Sequence, residues 1–395
     1  MSAYRARARA PRAIAAIAAV TCAALGLAAC TTASSSTTAS TAASNGSSSG
    51  SGKPACGTAA QLAASKATVA KLSQPPSSIG VTTPLAKRPA KGTVIAYIAP
   101  SGPTGTSNGT ALVNTAKSLG YTVKEFFTGS TADDFQTAFN SAAAANPAAV
   151  WVSAIQPSTW SSWGNKWNAA GIPVVNQGNT TPTTAVNRFD FGSVEKNNAI
   201  EEPLADWVYA DSGGTPADTL VVDPSDIALF AGAATAIQSR LKTLCPGSAV
   251  DVLNSQLANV GTTIPSQVSG YVSSHPNTKY IIFDFADLAT GVPEALASAG
   301  QTGIKIVVAA ADQAIAGEVK SGKIAVNLAY DLNGQADIVL DFMMRSLEKQ
   351  STTPDQAWNF PTQFQTSATI GDPNVTFSIP DEVSKWSQLW GVSGS

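Results

Sequence analysis

From residue 92 onward, short apolar runs alternate with stretches of helical periodicity, and this rhythm constrains the fold more than any other feature of the sequence. Runs such as 94–98 and 280–284 have the length and continuous apolar character of strands that are covered on both faces. The stretches between them, such as 106–119, repeat apolar residues at the spacing of one helix face. Strands that alternate with helices imply right-handed crossovers and parallel sheets, so we predict an α/β protein.

The predicted elements form two successive series. Strands are predicted at 94–98, 122–126, 149–152 and 173–176, and then at 219–222, 250–253, 280–284, 305–308 and 324–330. Helices are predicted at 106–119, 132–145, 157–170, 194–209, 227–244, 264–274, 289–299 and 335–348. Because the unit recurs about eight times, a closed barrel of eight units is the rival architecture. The additional chain from residue 324 to residue 395 favours two open sheets that exchange connections.

The N-terminal thirty residues predict export. The apolar stretch 13–29 follows a positively charged segment that contains Arg5, Arg7, Arg9 and Arg12, which is the pattern of a signal peptide. The motif Leu27-Ala28-Ala29-Cys30 fits a bacterial lipobox, in which Cys30 is lipidated after cleavage. An ordinary Ala-rich cleavage site beside a chance cysteine is the alternative. Residues 31–52 are almost entirely Ser, Thr, Ala and Gly, so we expect a flexible tether that holds the folded part away from the membrane.

Charge and cysteine content narrow the classes of partner. Cleavage after residue 29 removes four positive charges, which changes the formal net charge from -2 to about -6. The remaining chain has no basic stripe for phosphate backbones, so we expect no nucleic-acid partner. The folded part contains Cys56 and Cys245. An exported protein can form a disulfide between such a pair, but the sequence does not decide whether their Cα atoms come within bridging distance.

Several segments resemble, in their order and spacing, the type I periplasmic binding proteins and the ribose-binding branch in particular. They are Val94-Ile95-Ala96-Tyr97-Ile98, Ala170-Gly171-Ile172-Pro173-Val174-Val175, Tyr280-Ile281-Ile282-Phe283-Asp284, Ala299-Gly300 ahead of Lys305-Ile306-Val307-Val308, and Ser321-Gly322-Lys323-Ile324-Ala325. The resemblance covers roughly residues 92–350. The segment around Cys56 and Pro84-Leu85 is similar to a subgroup of exported actinobacterial receptors. DNA-binding repressors share this fold, but no helix-turn-helix pattern precedes Gly92.

The resemblance implies two Rossmann-like lobes joined by a hinge, with crossings near residues 191–192, 329–331 and 358–361. The expected organisation is a signal peptide (1–29), a lipid-anchored tether (30–55), an N-terminal extension (56–91), lobe 1 (92–191 with 331–357) and lobe 2 (192–330 with 358–395). A ligand that contacts both lobes would stabilise the closed form through its additional contacts there. The expected partners are a small molecule, an ABC permease and the membrane through the lipid anchor. We expect a monomer without a cofactor or metal.

Ligands of open α/β sheets bind beyond the carboxyl ends of the strands, so the candidate residues follow predicted strands. Lobe 1 offers Ser101, Thr104, Gln156, Trp160, Asn176 and Asn179. Lobe 2 offers Asp226, Phe230, Phe285, Asp312 and Tyr330. Amides, carboxylates and aromatic faces suit a neutral, hydroxyl-rich ligand. The resemblance also implies an aspartate at the position of Asp312 in sugar receptors.

Some of these candidates have alternative structural roles. Asp226 is placed to cap the predicted helix 227–244, and Asn176 and Asn179 suit turns. Trp160 shares its helical spacing with Trp163 and Trp167, which predicts that at least one of the three lies in the core.

The sequence also departs from the ribose-type pattern. The resemblance implies arginines where this chain has Asn179 and the run 228–230, and an asparagine where it has Phe285. These differences indicate a less polar ligand than the ribose-type sugars.

The motifs give little support for an enzyme. The only histidine, His275, precedes Pro276 at the end of a predicted helix, and the glycine-rich stretch 101–109 lacks the lysine of a phosphate-binding loop. The acid pairs Asp133-Asp134 and Glu201-Glu202 are interpreted as charges at helix starts. Two other functions remain open: a receptor that presents its closed form to a membrane signalling protein, and a surface interaction protein that binds no small molecule.

Overall fold

A computed structural model describes residues 56–179, 188–331, 334–375 and 377–391. The predicted signal peptide, Cys30 and the tether lie outside these residues, as do the side chains of Pro103 and Thr104. Among the helices of the described ranges, none combines the length and the apolar character that crossing a bilayer requires.

The first part of the chain forms a five-stranded parallel sheet. Its elements are α1 (Ala59–Leu72), β1 (Val94–Pro100), α2 (Pro103–Ser118), β2 (Thr122–Thr128), α3 (Ala132–Ala144), β3 (Ala149–Ser153), α4 (Pro157–Ala169), β4 (Val174–Gln177) and β5 (Arg188–Phe191). The strand order is β2-β1-β3-β4-β5. Every residue of β3, the central strand, is buried, because helices cover both faces of the sheet.

The second part forms a six-stranded sheet in the order β11-β10-β9-β8-β6-β7. Its elements are α5 (Val194–Asp211), β6 (Asp218–Pro224), α6 (Ala233–Leu244), β7 (Val250–Ser255), α7 (Thr263–Ser274), β8 (Thr278–Phe283), α8 (Val292–Ser298), β9 (Lys305–Ala309), α9 (Gln313–Ser321) and β10 (Val326–Tyr330). The chain continues through α10 (Gly334–Leu347), α11 (Thr353–Gln356), β11 (Thr362–Gln365) and α12 (Glu382–Leu389). All neighbouring strands are parallel except β10 and β11. Two open sheets confirm the predicted α/β fold and exclude the eight-unit barrel.

The C-terminal segment corrects one predicted boundary. The resemblance places residues 358–395 in lobe 2, but only β11 joins the second sheet. Helix α12 packs in the core of lobe 1, where Trp386, Leu389 and Trp390 lie on one face of the helix against α10. The indole N–H of Trp390 donates to the Oδ1 atom of Asp341 on α10 at 2.8 Å. The aromatic face of α12 therefore decides which lobe this segment joins.

The N-terminal extension, residues 56–91, contacts both lobes. Helix α1 begins after Thr58, whose side chain and that of Gln61 form a reciprocal capping box. Helix α1 packs on α5 of lobe 2, and Cys56 forms a disulfide with Cys245 at the end of α6. The structure thus joins the two cysteines whose pairing the sequence left open.

Candidate functional site

The carboxyl ends of both sheets meet at the hinge. One crossing runs from the end of β5 to the start of α5, and another runs from the end of β10 to the start of α10. A helix that follows a parallel strand begins at the carboxyl edge of its sheet. Helix α5 begins beside the sheet of lobe 2, and helix α10 begins beside the sheet of lobe 1. Both carboxyl edges therefore border the same interlobe region, which is the candidate site.

Aromatic side chains hold the crossings together. The ring of Phe360 lies 5.1 Å from Phe191 at the end of β5, 6.0 Å from Tyr330 at the end of β10, and 5.0 Å from Trp358. The ammonium group of Lys196, in the first turn of α5, donates to the carbonyl oxygen of Trp358 at 3.1 Å. The three crossings contact one another through these aromatic rings. The side of the candidate site next to the hinge is therefore largely apolar.

An amide cluster lies at the carboxyl edge of lobe 1. The side-chain NH₂ of Asn179 donates to the Oδ1 atom of Asn176 at 2.6 Å, and that of Asn176 donates to Asp190 on β5 at 3.0 Å. The side-chain NH₂ of Gln177 donates to Gln335 at the start of α10 at 2.7 Å. The predicted candidates Asn176 and Asn179 are therefore neighbours. Gln335 was missed because only the crossing of the chain brings it to this edge.

The other polar candidates of lobe 1 lie along the same edge. Ser101 follows β1, is exposed, and donates its hydroxyl to the carbonyl oxygen of Thr128 at 2.9 Å. Gln156 is the half-buried N-cap residue of α4. Thr104 lies in the first turn of α2, and its side chain is outside the described part.

Trp160 does not line the interlobe region, so its prediction as a ligand-binding residue is wrong. It is 1% exposed and its indole N–H donates to the carbonyl oxygen of Ile155 at 2.9 Å. Its ring stacks on Phe139 of α3 in the core between the helices and the sheet. The helical spacing that linked it to Trp163 and Trp167 marked a core face, which was the alternative interpretation.

A cluster of buried acids lies at the carboxyl edge of lobe 2. The Tyr330 hydroxyl donates to the Oε1 atom of Glu201 on α5 at 3.1 Å. The carboxyl groups of Asp223 on β6 and Asp284 after β8 are close enough to affect each other's pKa. Burial, followed by the neighbouring carboxylates, raises the pKa of Asp284 well above its ordinary value, and burial does the same to the pKa of Glu201. These carboxyl groups therefore hold their protons to a higher pH than free acids do, and a protonated carboxyl can donate a hydrogen bond as well as accept one.

Asp223 is the member of this acid cluster that reaches the surface. Glu201 and Asp284 are fully buried, whereas Asp223 is half-buried. The sequence pattern predicts Glu201 as a charge at a helix start. The structure corrects this interpretation, because Glu201 lies within α5 on the face that turns to the sheet.

An aromatic pair adjoins the acid cluster. Phe230 is buried in a short 3₁₀ turn after β6, and its ring lies 5.5 Å from the half-buried ring of Phe285 after β8. Asp226 does not cap a helix at residue 227, because α6 begins only at Ala233. Its carboxylate instead accepts the backbone N–H of Leu257 at 3.2 Å, which links the loops after β6 and β7.

Asp312 has a structural role that the sequence pattern does not predict. It is exposed, it is the N-cap residue of α9, and its Oδ1 atom accepts the backbone N–H of Ile315 at 2.9 Å. Burial and the nearby charge of Asp312 raise the pKa of Asp287. Asp312 and Asp287 therefore add a second acidic patch at the carboxyl edge of lobe 2.

A family model described as a periplasmic binding protein domain matches residues 106–351, which is more than half of the chain. The chain belongs to the periplasmic binding protein family. Members of this family bind substrates outside the cytoplasm. No curated protein sequence matches this periplasmic binding protein significantly.

Solved structures with the same two-lobed architecture support this assignment of the fold. An ABC sugar transporter subunit from Rhodobacter sphaeroides 2.4.1 is 19% identical with a TM-score of 0.58, and the match covers 70% of this chain and 99% of that one. A periplasmic ribose ABC transporter from Conexibacter woesei DSM 14684 is 17% identical with a TM-score of 0.61, covering 71% and 94%. A 5-methylthioribose transporter solute binding protein from Thermotoga lettingae TMO is 14% identical with a TM-score of 0.57, covering 76% and 95%.

The side chains at the candidate site of this periplasmic binding protein are suited to hydrogen bonding. Within the described ranges, no group of three or more His, Cys, Asp or Glu side chains is arranged to hold a metal ion. The site offers amides on one lobe, carboxyl groups on the other and an aromatic pair beside them. Such groups can orient a small molecule through its hydroxyls and cover an apolar part of it.

Proposed function

We propose that this periplasmic binding protein captures a small, neutral, hydroxyl-bearing molecule between its lobes and delivers it to an ABC permease. The observation that carries the proposal is the meeting of two hydrogen-bonding edges at one hinge. The amides of Asn176, Gln177 and Asn179 border this region from lobe 1, and the carboxyl groups of Asp223 and Asp312 border it from lobe 2. A ligand that bonds to both edges favours the closed form by the free energy of those additional contacts.

The charge at the site favours a neutral ligand over an anionic one. In lobe 2, the described residues between each parallel strand and the next helix include no lysine or arginine. The acidic residues in these loops are Asp226, Asp284, Asp287, Asp312 and Asp331. A phosphorylated or carboxylated ligand would therefore find no cation in these loops of lobe 2.

The ligand is expected to have an apolar part as well as hydroxyls. Phe230 and Phe285 form a ring pair at the carboxyl ends of β6 and β8, where one ring can cover an apolar face. The similar solved proteins are described by their ligands or cargo as sugar, ribose and 5-methylthioribose proteins. Among these, 5-methylthioribose combines hydroxyls with an apolar group, and it is the chemistry that the aromatic pair suits best.

The proposal includes a lipid anchor. Cys30 would carry the lipid, and residues 31–55 would connect it to the N-terminal extension. Several acyl chains anchor a protein stably, whereas one acyl chain binds a membrane only marginally. The closed receptor would then meet its permease at the outer face of the cell membrane.

Two measurements test the binding function. The chain from residue 31 onward is purified without detergent, and mass spectrometry identifies any small molecule that is retained after denaturation. Thermal unfolding is then followed with sugars, polyols, nucleosides and amino acids, since a ligand at a hundredfold excess over its dissociation constant adds about 2.7 kcal/mol. We expect ribose or 5-methylthioribose derivatives to raise the melting temperature. Ribose 5-phosphate is the matched anionic control and should leave the melting temperature unchanged.

Binding of the phosphorylated sugar alone would contradict the neutral-ligand proposal. If no compound in these four classes shifted the melting temperature and no molecule were retained, the ligand-capture function itself would be wrong.

A further inference from the structure

The N-terminal extension is fixed to lobe 2 at its first half. Cys56 is bonded to Cys245, and the backbone N–H of Gly57 donates to the carbonyl oxygen of Leu244 at 2.8 Å. The hydroxyl of Ser65, which is fully buried in α1, donates to the Oδ1 atom of Asp206 on α5 at 2.5 Å. Helix α1 is therefore held at both its N-terminal end and its middle.

The second half of the extension belongs to the core of lobe 1. Ile79, Val81 and Leu85 are 5%, 3% and 8% exposed, and they pack with the aromatic residues of α12. The backbone N–H of Leu85 donates to the carbonyl oxygen of Leu389 at 2.8 Å, and the guanidinium of Arg345 donates to the carbonyl oxygen of Thr83 at 2.6 Å. This half cannot leave lobe 1 without exposing apolar surface and breaking buried hydrogen bonds.

The extension also contacts a crossing of the hinge. The indole N–H of Trp358 donates to the carbonyl oxygen of Ile79 at 2.8 Å. Gly80 has a φ of +82°, and a Cβ atom there would lie 2.7 Å from Cδ1 of the Trp358 ring. The close approach of backbone and ring places the extension directly against the hinge.

Only a short segment separates the two halves. Helix α1 ends at Leu72, and Ile79 is the first residue in the lobe 1 core. The six residues between them include Pro75 and Pro76, which fix φ and keep the residues before them extended. A residue spans at most about 3.6 Å when fully extended, so the seven steps from Leu72 to Ile79 limit the distance between their Cα atoms to about 25 Å.

We propose that the N-terminal extension limits how far the lobes can open in the ligand-free protein. An opening that carried Ile79 beyond this reach would have to detach α1 from α5 or pull Ile79 out of lobe 1. The disulfide and the buried Ser65 hydroxyl oppose the first route, and the core contacts oppose the second. A receptor whose closed form is more populated binds its ligand with a higher apparent affinity, so the extension would also adjust affinity.

A lengthened connection tests this proposal without any ligand. Six residues, Gly-Gly-Ser-Gly-Gly-Ser, are inserted between Gln74 and Pro75. The matched control carries the same insertion between Thr302 and Gly303, an exposed turn within lobe 2. Spin labels at Lys124→Cys in lobe 1 and Lys279→Cys in lobe 2, both exposed positions, report the interlobe distance by pulsed electron resonance. We expect the first insertion to add longer distances, by more than about 2 Å, to the ligand-free distribution.

The control insertion should reproduce the wild-type distances. Identical distributions in the wild type and both insertion variants would overturn the proposal. If the first insertion variant does not fold, the double variant Pro75→Gly, Pro76→Gly, which has the wild-type length, replaces it. This variant should broaden the interlobe distance distribution toward longer distances. Because no ligand enters the measurement, its result does not depend on whether the proposed ligand class is right.

Discussion

Asp331 and Glu382 place two carboxyl groups together where the chain passes from β10 to α10. Their oxygens lie on either side of Gly334, where a Cβ atom would approach the Oδ2 atom of Asp331 to 2.5 Å and the Oε1 atom of Glu382 to 2.8 Å. Burial, followed by the contact with Asp331, raises the pKa of Glu382 to about 9. Asp337 on α10 adds a further negative charge to this environment. The pair therefore shares a proton at neutral pH, and only glycine fits between its members.

We expect the Asp331–Glu382 pair to make the protein less stable as the pH rises. The raised folded-state pKa means that stabilisation by the shared proton is fully present below about 4.5 and is lost as the pH approaches 9. Each proton that only the folded protein retains lowers the free energy of unfolding by at most about 1.4 kcal/mol per pH unit as the pH rises. Urea unfolding at pH 5, 7 and 9 should therefore show a steeper decline in the wild type than in Glu382→Gln.

The matched control for this pH series is Glu195→Gln at an exposed position on α5. It should keep the wild-type pH dependence. Equal slopes in Glu382→Gln and the wild type would show that the pair does not retain its proton.

Asp223 is the residue at which the binding proposal can be tested most directly. It is the half-buried member of the acid cluster, and a buried hydrogen-bonding group left without its partner costs about 1–3 kcal/mol. We therefore expect Asp223→Asn to weaken binding of the recovered ligand by roughly 10- to 100-fold, as measured by isothermal titration calorimetry. Asp251→Asn, at an exposed position at the start of β7 and so away from the carboxyl ends of the strands, should bind as the wild type does. Unchanged affinity in Asp223→Asn would remove this residue from the site.

At the scale of secondary structure, α12 shows how one short helix determines the path of the C-terminal chain. Trp386 is 1% exposed in the core of lobe 1, whereas Val383 on the same helix is 78% exposed. Trp386→Ala should lower the free energy of unfolding by about 3–5 kcal/mol because it leaves a large cavity. Val383→Ala should change it by less than about 0.5 kcal/mol. Chemical denaturation of both variants measures the difference, and similar losses in the two would mean that α12 does not pack as described.

Elements with long periodic patterns could be predicted from the sequence, and short elements could not. The strand predicted at 94–98 corresponds to β1 and the helix predicted at 335–348 corresponds to α10, since their continuous or periodic apolar residues are buried by any α/β packing. The four-residue strands β5 and β11 and the nine-residue helix α9 were not predicted. Their few residues carry too little local pattern, and they are stabilised by neighbours that are distant in sequence.

Residues of the candidate site that lie next to a strand could be predicted from the sequence, and those positioned by the crossings between lobes could not. Asn176 and Asn179 could be predicted because they follow a strongly apolar strand, and the structure places them side by side. The burial of Glu201 and Gln335 depends on where the chain crosses between lobes, which local sequence does not encode. Trp160 was misassigned because an aromatic residue after a strand suits a ligand face and a core face equally well.

At the scale of the whole molecule, the disulfide closes a very long loop. Cys56 and Cys245 are separated by 189 residues, and the chain-entropy model gives an upper value of about 5 kcal/mol for a cross-link of that length. We expect the double variant Cys56→Ser, Cys245→Ser to unfold at a lower temperature than the oxidised wild type in a calorimetric scan. Reductant should lower the melting temperature of the wild type and leave that of the double variant unchanged. A wild type insensitive to complete reduction would contradict this expectation.

The two lobes are connected by more of the described chain than the resemblance implied. Besides the three expected crossings, the N-terminal extension passes from lobe 2 to lobe 1, and the chain after β11 returns from lobe 2 to α12 in lobe 1. Both additional passages lie outside the periodic part of the sequence. The sequence therefore indicated the architecture of each lobe more completely than the connections between them.

These two passages leave the ends of the described chain on different lobes. Cys56 is bonded to lobe 2, whereas Trp390 is buried in lobe 1. Fluorescent proteins fused ahead of Cys56 and after Ser395 would thus be carried by opposite halves of the receptor. Energy transfer between such a pair would convert lobe movement into a colour change, with no need to insert a reporter into either domain.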